Sequence, residues 1–315
     1  MAKRVLVALG GNAIKQPDEK GTFEEQMRNV ETASKQIAQL VKQGYELVIT
    51  HGNGPQVGNL SIQQEAATDQ VPPQPLVVLG AMTQGQIGYM MQQHLHNLLD
   101  GDGKKVVTVV TQVLVGKDDP DFEDPTKPVG PFYTEEAAKK LSTERGWVVK
   151  KVRPIGDKTW RRVVPSPAPL SIVESKAINE MVELGMIVIA SGGGGIPVFR
   201  NDKGNLEGVD AVIDKDRAGA KLAEEVSANI LLILTDVEHA MMDYGKPTQR
   251  PISNMKVAEA RRMLSEGQFG AGSMGPKVEA ALGYVARGGG RAIITSLEKA
   301  VDALAGKTGT HIVAD

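Results

Sequence analysis

The chain of 315 residues contains no cysteine. That excludes disulfide staples, thiolate metal sites and cysteine nucleophiles together. Long apolar runs are also missing. The N-terminus offers only Val5 to Leu9 after Met1-Ala2-Lys3-Arg4, whereas a secretory signal has a longer apolar core and a membrane span takes about 20 such residues. A cytoplasmic protein is the expectation. No positive surplus marks a nucleic-acid binder: net charge is −2 and lysine and arginine are spread along the chain, leaving no basic face to neutralise phosphates. Aromatics are scarce, at 4%. Two common nucleotide fingerprints are absent as well. No Gly-x-x-x-x-Gly-Lys-Ser/Thr occurs, and no Gly-x-Gly-x-x-Gly follows the first apolar run, which sets aside P-loop enzymes and plain dinucleotide-binding dehydrogenases.

Glycine, by contrast, is plentiful at 35 residues, and it is clustered. Val5 to Leu9 reads as a strand buried on both faces and ends in Gly10-Gly11. Residues 24–43 carry a helical apolar period (Met27, Val30, Ser34, Ile37, Leu40 or Val41) stopped by Gly44. A second strand, Tyr45 to Thr50, runs into Gly52-Asn53-Gly54-Pro55. Strand, helix, strand makes a right-handed βαβ unit. The rhythm repeats with a helix over about 80–99, a strand from Val106, and a helix from Ser175. A strand from Met186 to Ala190 then ends in Ser191-Gly192-Gly193-Gly194-Gly195. The second half continues with helix 216–225, strand 230–234, a helix near 275–287 and strand 292–295. Such alternation predicts an α/β fold with a mainly parallel sheet. Residues 114–170 break the rhythm. They hold eight of the seventeen prolines and one helical stretch, Thr134 to Arg145. A stretch of that length is a functional loop or a small subdomain, here read as a lid.

Ligands of parallel sheets collect beyond the carboxyl ends of the strands. All three glycine loops fall there, where amide N–H groups can approach and hold an anion. One such loop merely turns a chain; three at one edge suggest a site. The second half adds Asp214-Lys215 at one helix start, and Gly272-Ser273-Met274-Gly275-Pro276-Lys277 at another, with Pro276 suited to a first helical turn. Two lysines held by one aspartate supply what phosphoryl transfer needs, which is positioning and neutralisation of the migrating group.

Six segments, in order, resemble those of the carbamate kinases of the amino-acid-kinase family. They are Ala8 to Ala13, Thr50 to Gly58, Lys127 to Phe132, Ser191 to Pro197, Val209 to Asp216 and Gly272 to Lys277, within a likeness running from about residue 5 to 313. The resemblance implies an open αβα sandwich with a small protruding subdomain (about 117–168), usually a homodimer. It divides the chain into an N-terminal acceptor lobe (1–205) and a C-terminal nucleotide lobe (206–315). It implies reversible transfer, ATP + carbamate to ADP + carbamoyl phosphate, with magnesium, run toward ATP in catabolism such as that of arginine. By motif, Gly10, Gly11, Asn12, Gly52, Asn53 and Gly54 would bind the acceptor and the moving phosphoryl. Lys215 and Lys277 would neutralise it, with Asp214 holding both ammonium groups. Lys127 would reach over from the lid, and Thr235, Asp236, Tyr244, Met274 and Gly275 would line the nucleotide pocket. No protein metal site is expected.

Related kinases usually carry a lysine just before the first glycine pair. Leu9 stands there in this chain, and Lys127 can supply the charge. His51 is read as a neutral structural histidine, because carbamate already has a nucleophilic oxygen. His94 and His96 are too sparse for a metal site, and Met90-Met91 and Met241-Met242 read as packing. Two other readings stay open: the same fold acting on acetylglutamate, another amino acid or uridine monophosphate, and a nucleotide sensor without turnover.

Overall fold

A computed structural model describes residues 2–270 and 274–315. Its frame is an eight-stranded sheet in the spatial order Asn254–Lys256, Thr310–Val313, Arg291–Ser296, Ile230–Thr235, Arg4–Leu9, Glu46–His51, Ile187–Ile189, Val106–Thr108. The last six are mutually parallel. Thr310–Val313 runs antiparallel to Arg291–Ser296, and Asn254–Lys256 follows it. The continuous apolar runs of the sequence are explained by what covers them. Along the first strand, Leu6 and Ala8 face one core, while Val5, Val7 and Leu9 face the other, the period of two that a pleated strand imposes. Both faces are packed, so both registers are apolar. Full burial of side chains such as these contributes roughly 1.5–3 kcal/mol each.

Helices Phe23–Lys42 and Leu76–Leu99 cover one face of the sheet; Ser175–Glu183, Lys215–Glu225, Val257–Ser265 and Met274–Ala286 cover the other. This is the expected αβα sandwich. Local chemistry sets the helix ends. Thr22 and Glu25 form a reciprocal capping box ahead of Phe23, and Gly44, at φ +85°, ends that helix two residues after Lys42. The sheet and both cores draw on both halves of the chain, across the expected boundary near residue 205: Arg4–Leu9 pairs with Ile230–Thr235 over five register positions.

The proline-rich stretch is ordered, and more elaborate than a loop. Gln112–Val115 and Pro169–Ile172 join Ile196–Arg200 and Leu206–Gly208 in a four-stranded sheet, which carries the chain out and back. Between them, Lys127–Tyr133, Trp160–Val164 and Val149–Lys151 form a three-stranded antiparallel sheet with helix Glu135–Arg145. These strands are short, twice interrupted by proline and rich in lysine and arginine, so no apolar period announces them. This protruding unit is clasped to the body by Tyr133, whose hydroxyl donates to Glu65 (2.7 Å), and by an ion pair of Arg162 with Asp210.

Candidate active site

The carboxyl ends of the central strands open into a cavity of about 900 Å³. Its wall includes Gly11, Gly52, Asn53 and Gly54 from the first two glycine loops, Gly193 and Gly195 from the third, and Lys127, Asp214, Lys215, Asp216 and Lys277. The glycine loops meet there because each follows a parallel strand, as expected. Their amides are not all available, however. Gly10 N–H donates to Leu234 O (2.9 Å) and Gly52 N–H to Leu9 O (3.1 Å), so these two glycines serve close packing rather than anion binding. A Cβ on Gly52 would lie 3.3 Å from the Gly11 backbone. Gly54 opens helix Gly54–Ala66 with Pro55 in its first turn, and first-turn amides have no intrahelical acceptor. That amide end is what the second loop offers an anion.

The third loop is glycine-rich for steric reasons. Gly193 has φ +68°, and a Cβ there would sit 2.1 Å from Asn53 Nδ2. At Gly194, φ +95°, it would sit 2.3 Å from the Ile213 carbonyl oxygen. The loop therefore fits between the Asn53 turn and the segment leading to Asp214. Asn53 itself donates to Thr83 Oγ1 (2.8 Å).

The lysine pair is held, but by a different residue from the one expected. Asp216 is buried and takes Lys215 Nζ on one oxygen (2.6 Å) and Lys277 Nζ on the other (3.4 Å). Asp214 does neither. One of its oxygens caps helix Lys215–Glu225, accepting from the amides of Asp216 (2.9 Å) and Arg217 (3.3 Å), and the other accepts from Lys127 Nζ (3.1 Å). An aspartate immediately before a helix turns its carboxylate onto the first-turn amides, which frees the next aspartate for the lysines. That rule was available in the string Asp214-Lys215-Asp216. Burial pushes the Asp214 carboxyl up, but the Lys127 ammonium and its hydrogen bond, with the charge of Lys215 and the Arg217 amide, together hold it below the usual carboxylate range. Lys127, at the start of a lid strand, is thereby brought onto the cavity wall with the other two lysines.

The remaining predicted residues separate. Asn12, expected among the acceptor-binding residues, donates its amide to Asp236 Oδ2 (2.6 Å) and lines a second cavity, of about 340 Å³, with Gly10, Thr235, Asp236 and Glu298. Tyr244 lines neither cavity. It lies on the hairpin turn between Ala240–Met242 and Arg250–Ile252, 77% exposed. Met274 packs on the core at the start of Met274–Ala286, and Gly275 N–H donates to Gly270 O (3.0 Å), which ties the start of the helix carrying Lys277 to Gly270. Gly272 and Ser273 lie outside the described residues. His51 is fully buried; desolvation lowers its imidazole from 6.5 to about 4, against an opposing contact with Gly52 O. It is neutral at physiological pH, as read. Sequence reasoning also missed Arg161, a lid residue on the wall of the larger cavity; without the lid sheet nothing in the sequence distinguishes it from its neighbours Arg153 and Arg162.

A ring of ammonium groups, an amide end and a buried carboxylate that fixes two of the lysines can stabilise a migrating anion without forming a covalent bond to it. The family model described as "Amino acid kinase family" matches residues 3–296. The chain belongs to the amino acid kinase family. Within that family it falls among the carbamate kinases. It is 56% identical to carbamate kinase of Pyrococcus furiosus over 317 residues, covering 99% of this chain and 100% of that one. It is 48% identical to carbamate kinase of Haemophilus influenzae, covering 98% and 96%. The structure of carbamate kinase from Giardia lamblia bound to AMP-PNP superposes with a TM-score of 0.94 at 47% identity, covering 100% and 99%.

Proposed function

We propose that the chain is a carbamate kinase, catalysing ATP + carbamate to ADP + carbamoyl phosphate and the reverse. The observation that carries this reading is the pair Lys215 and Lys277 on the buried Asp216 carboxylate, beside the glycine loops, in a chain matched end to end by carbamate kinases. In the proposed reaction a carbamate oxygen attacks the γ-phosphorus in line as the bond to the β-γ bridging oxygen breaks. Lys215 and Lys277 take up the charge on the equatorial oxygens. The Gly54 amide and Gly11 border the acceptor side, and Lys127 closes over it from the lid. No general base is required, because the carbamate oxygen is already anionic. The neutral, buried His51 therefore takes no part. ATP or ADP lies toward Thr235 and Asp236, at the ends of the second-half strands. Magnesium arrives on the nucleotide phosphates as part of that substrate; Asp214 and Asp216 are engaged by lysines, and this ion binds through one or two carboxylates at most when phosphates carry it.

The reading includes a cytoplasmic setting and net flow toward ATP. Among the described residues, no helix is long and apolar enough to cross a membrane. It also includes a homodimer. Val78, Met82 and Tyr89 lie exposed on one face of helix Leu76–Leu99, and a second copy would cover that face; light scattering at twice 33.6 kDa supports this, and a monomer refutes it.

The test is ATP formation from ADP and carbamoyl phosphate with magnesium, in a hexokinase-coupled assay. Turnover that Lys215→Ala lowers about a hundredfold or more, with folding intact, supports the reading. No ATP above the spontaneous breakdown of carbamoyl phosphate refutes it and directs attention to other acceptors.

A further inference from the structure

The lid strand Trp160–Val164 carries two adjacent arginines in opposite circumstances. Arg162 is satisfied: it pairs with Asp210 and stacks on Trp147 at 4.6 Å from the ring centroid. Arg161 is not. Its Nη2 donates to the Gly130 carbonyl (2.6 Å), but its Nε–H is enclosed and meets no acceptor. A buried donor without a partner is uncommon and calls for an explanation. Arg161 also shares the Phe132 ring with Arg153, their guanidinium carbons 4.9 and 3.7 Å from the centroid. Among the described residues, neither guanidinium has a carboxylate within 4.0 Å. Burial first, and the neighbouring Arg153 second, work against the charge on Arg161. Arg161 is thus a half-buried cation on the wall of the larger cavity, which Lys127, Lys215 and Lys277 also line, and among the described residues no carboxylate lies within 4.0 Å of it.

An incoming dianion answers the charge imbalance that burial and Arg153 impose on this guanidinium. It gives the guanidinium an acceptor and offsets the repulsion between the two arginines. A guanidinium fork also suits phosphoryl oxygens better than an ammonium does. We propose that Arg161 binds the phosphoryl group of carbamoyl phosphate from the lid, alongside Lys127, so that the lid engages the phosphorylated acceptor and not ADP. This inference rests on the carbamate kinase reading.

The test is steady-state ATP formation by the full chain, with carbamoyl phosphate and ADP varied separately, for wild type, Arg161→Met and Arg161→Lys. Loss of a charge-assisted hydrogen-bonding group predicts a KM for carbamoyl phosphate raised about ten- to a hundredfold in Arg161→Met, with the KM for ADP changed by less than about twofold. Arg161→Lys, which keeps the charge and loses the fork, falls between, and decides the matter if Arg161→Met does not fold. An unchanged KM for carbamoyl phosphate overturns the inference. So does an equal rise for both substrates with a lowered Tm, since that marks a residue that only supports the lid. If the wild type forms no ATP, the functional reading fails separately. Inorganic phosphate binding, measured by calorimetry, then decides: weaker binding in Arg161→Met supports the Arg161 site, and equal binding overturns it.

Discussion

Replacing Asp216 by asparagine keeps the shape of the side chain and removes the charge that two lysines share. The Asp216 side chain is 4% exposed, and those of its partners Lys215 and Lys277 only 19% and 15%. Water therefore compensates little of the loss. Breaking a buried ion pair by deleting one partner costs about 3–5 kcal/mol; asparagine can still accept one hydrogen bond, so a loss of about 3 kcal/mol in unfolding free energy is expected. The catalytic effect is larger than a stability change explains, since both ammonium groups lose the anchor that fixes them on the migrating phosphoryl. Removing one preorganised donor of this kind costs about 10²–10³ in kcat, and Asp216→Asn is expected to fall in or below that range. Urea unfolding gives the first number and the coupled ATP assay the second. A third reading separates this account from general damage. With its carboxylate gone the pair lacks that counter-charge, so inorganic phosphate should raise the Tm of Asp216→Asn by more than it raises that of the wild type. A variant with kcat within about threefold of wild type, or one stabilised no more by phosphate than wild type, refutes the argument.

Two further outcomes are expected. His51 binds a proton near 6.5 in the unfolded chain and near 4 in the folded one, so between those values the unfolded state holds more protons and stability rises with pH. Acidification from 6.5 to 4 should remove about 3 kcal/mol through this residue, and His51→Gln should flatten that part of the profile; an equally steep fall in the variant refutes it. Gly193→Ala adds a Cβ 2.1 Å from Asn53 Nδ2 at φ +68°, whereas Gly204→Ala, at φ +81°, meets no atom within 4 Å. The second should cost about 1–2 kcal/mol by chemical denaturation, the first distinctly more and with a raised KM for carbamoyl phosphate; equal losses would refute the crowding argument.

The sheet was legible because each of its long strands is an apolar run ended by a turn, and because parallel strands buried on both faces leave that mark wherever they occur. Placement of the glycine loops at one edge followed from it. The lid sheet, by contrast, is held by short strands whose residues Lys150, Arg161 and Arg162 carry no apolar period. Helix Gly54–Ala66 was missed because it begins in a glycine loop and buries only Gln56 and Val57, giving no amphipathic stripe. The reversed edge pair Asn254–Lys256 and Thr310–Val313 rests on tertiary pairing that no local pattern encodes. At the site, residue types were legible and partnerships were not. Asp214 and Asp216 flank the same lysine, and only the helix start decides which carboxylate faces the backbone. Asn12, two residues past Gly10, faces the smaller cavity because the short helical turn Gly11–Ala13 carries it there.

The strand Arg4–Leu9 lies in the middle of the sheet, hydrogen-bonded on one side to Glu46–His51 and on the other to Ile230–Thr235. Arg4 and its neighbour Asn229 are 225 positions apart. At roughly 5–20 residues per second, a ribosome takes on the order of ten seconds or more to cover that interval. During it, the first βαβ unit can assemble while one full edge of an apolar strand stays open. Such an edge is a template for pairing with other chains. The central position that gives the finished enzyme its shared core thus makes the nascent chain dependent on its own far half, and places its period of greatest exposure to misassembly before residue 230 is made.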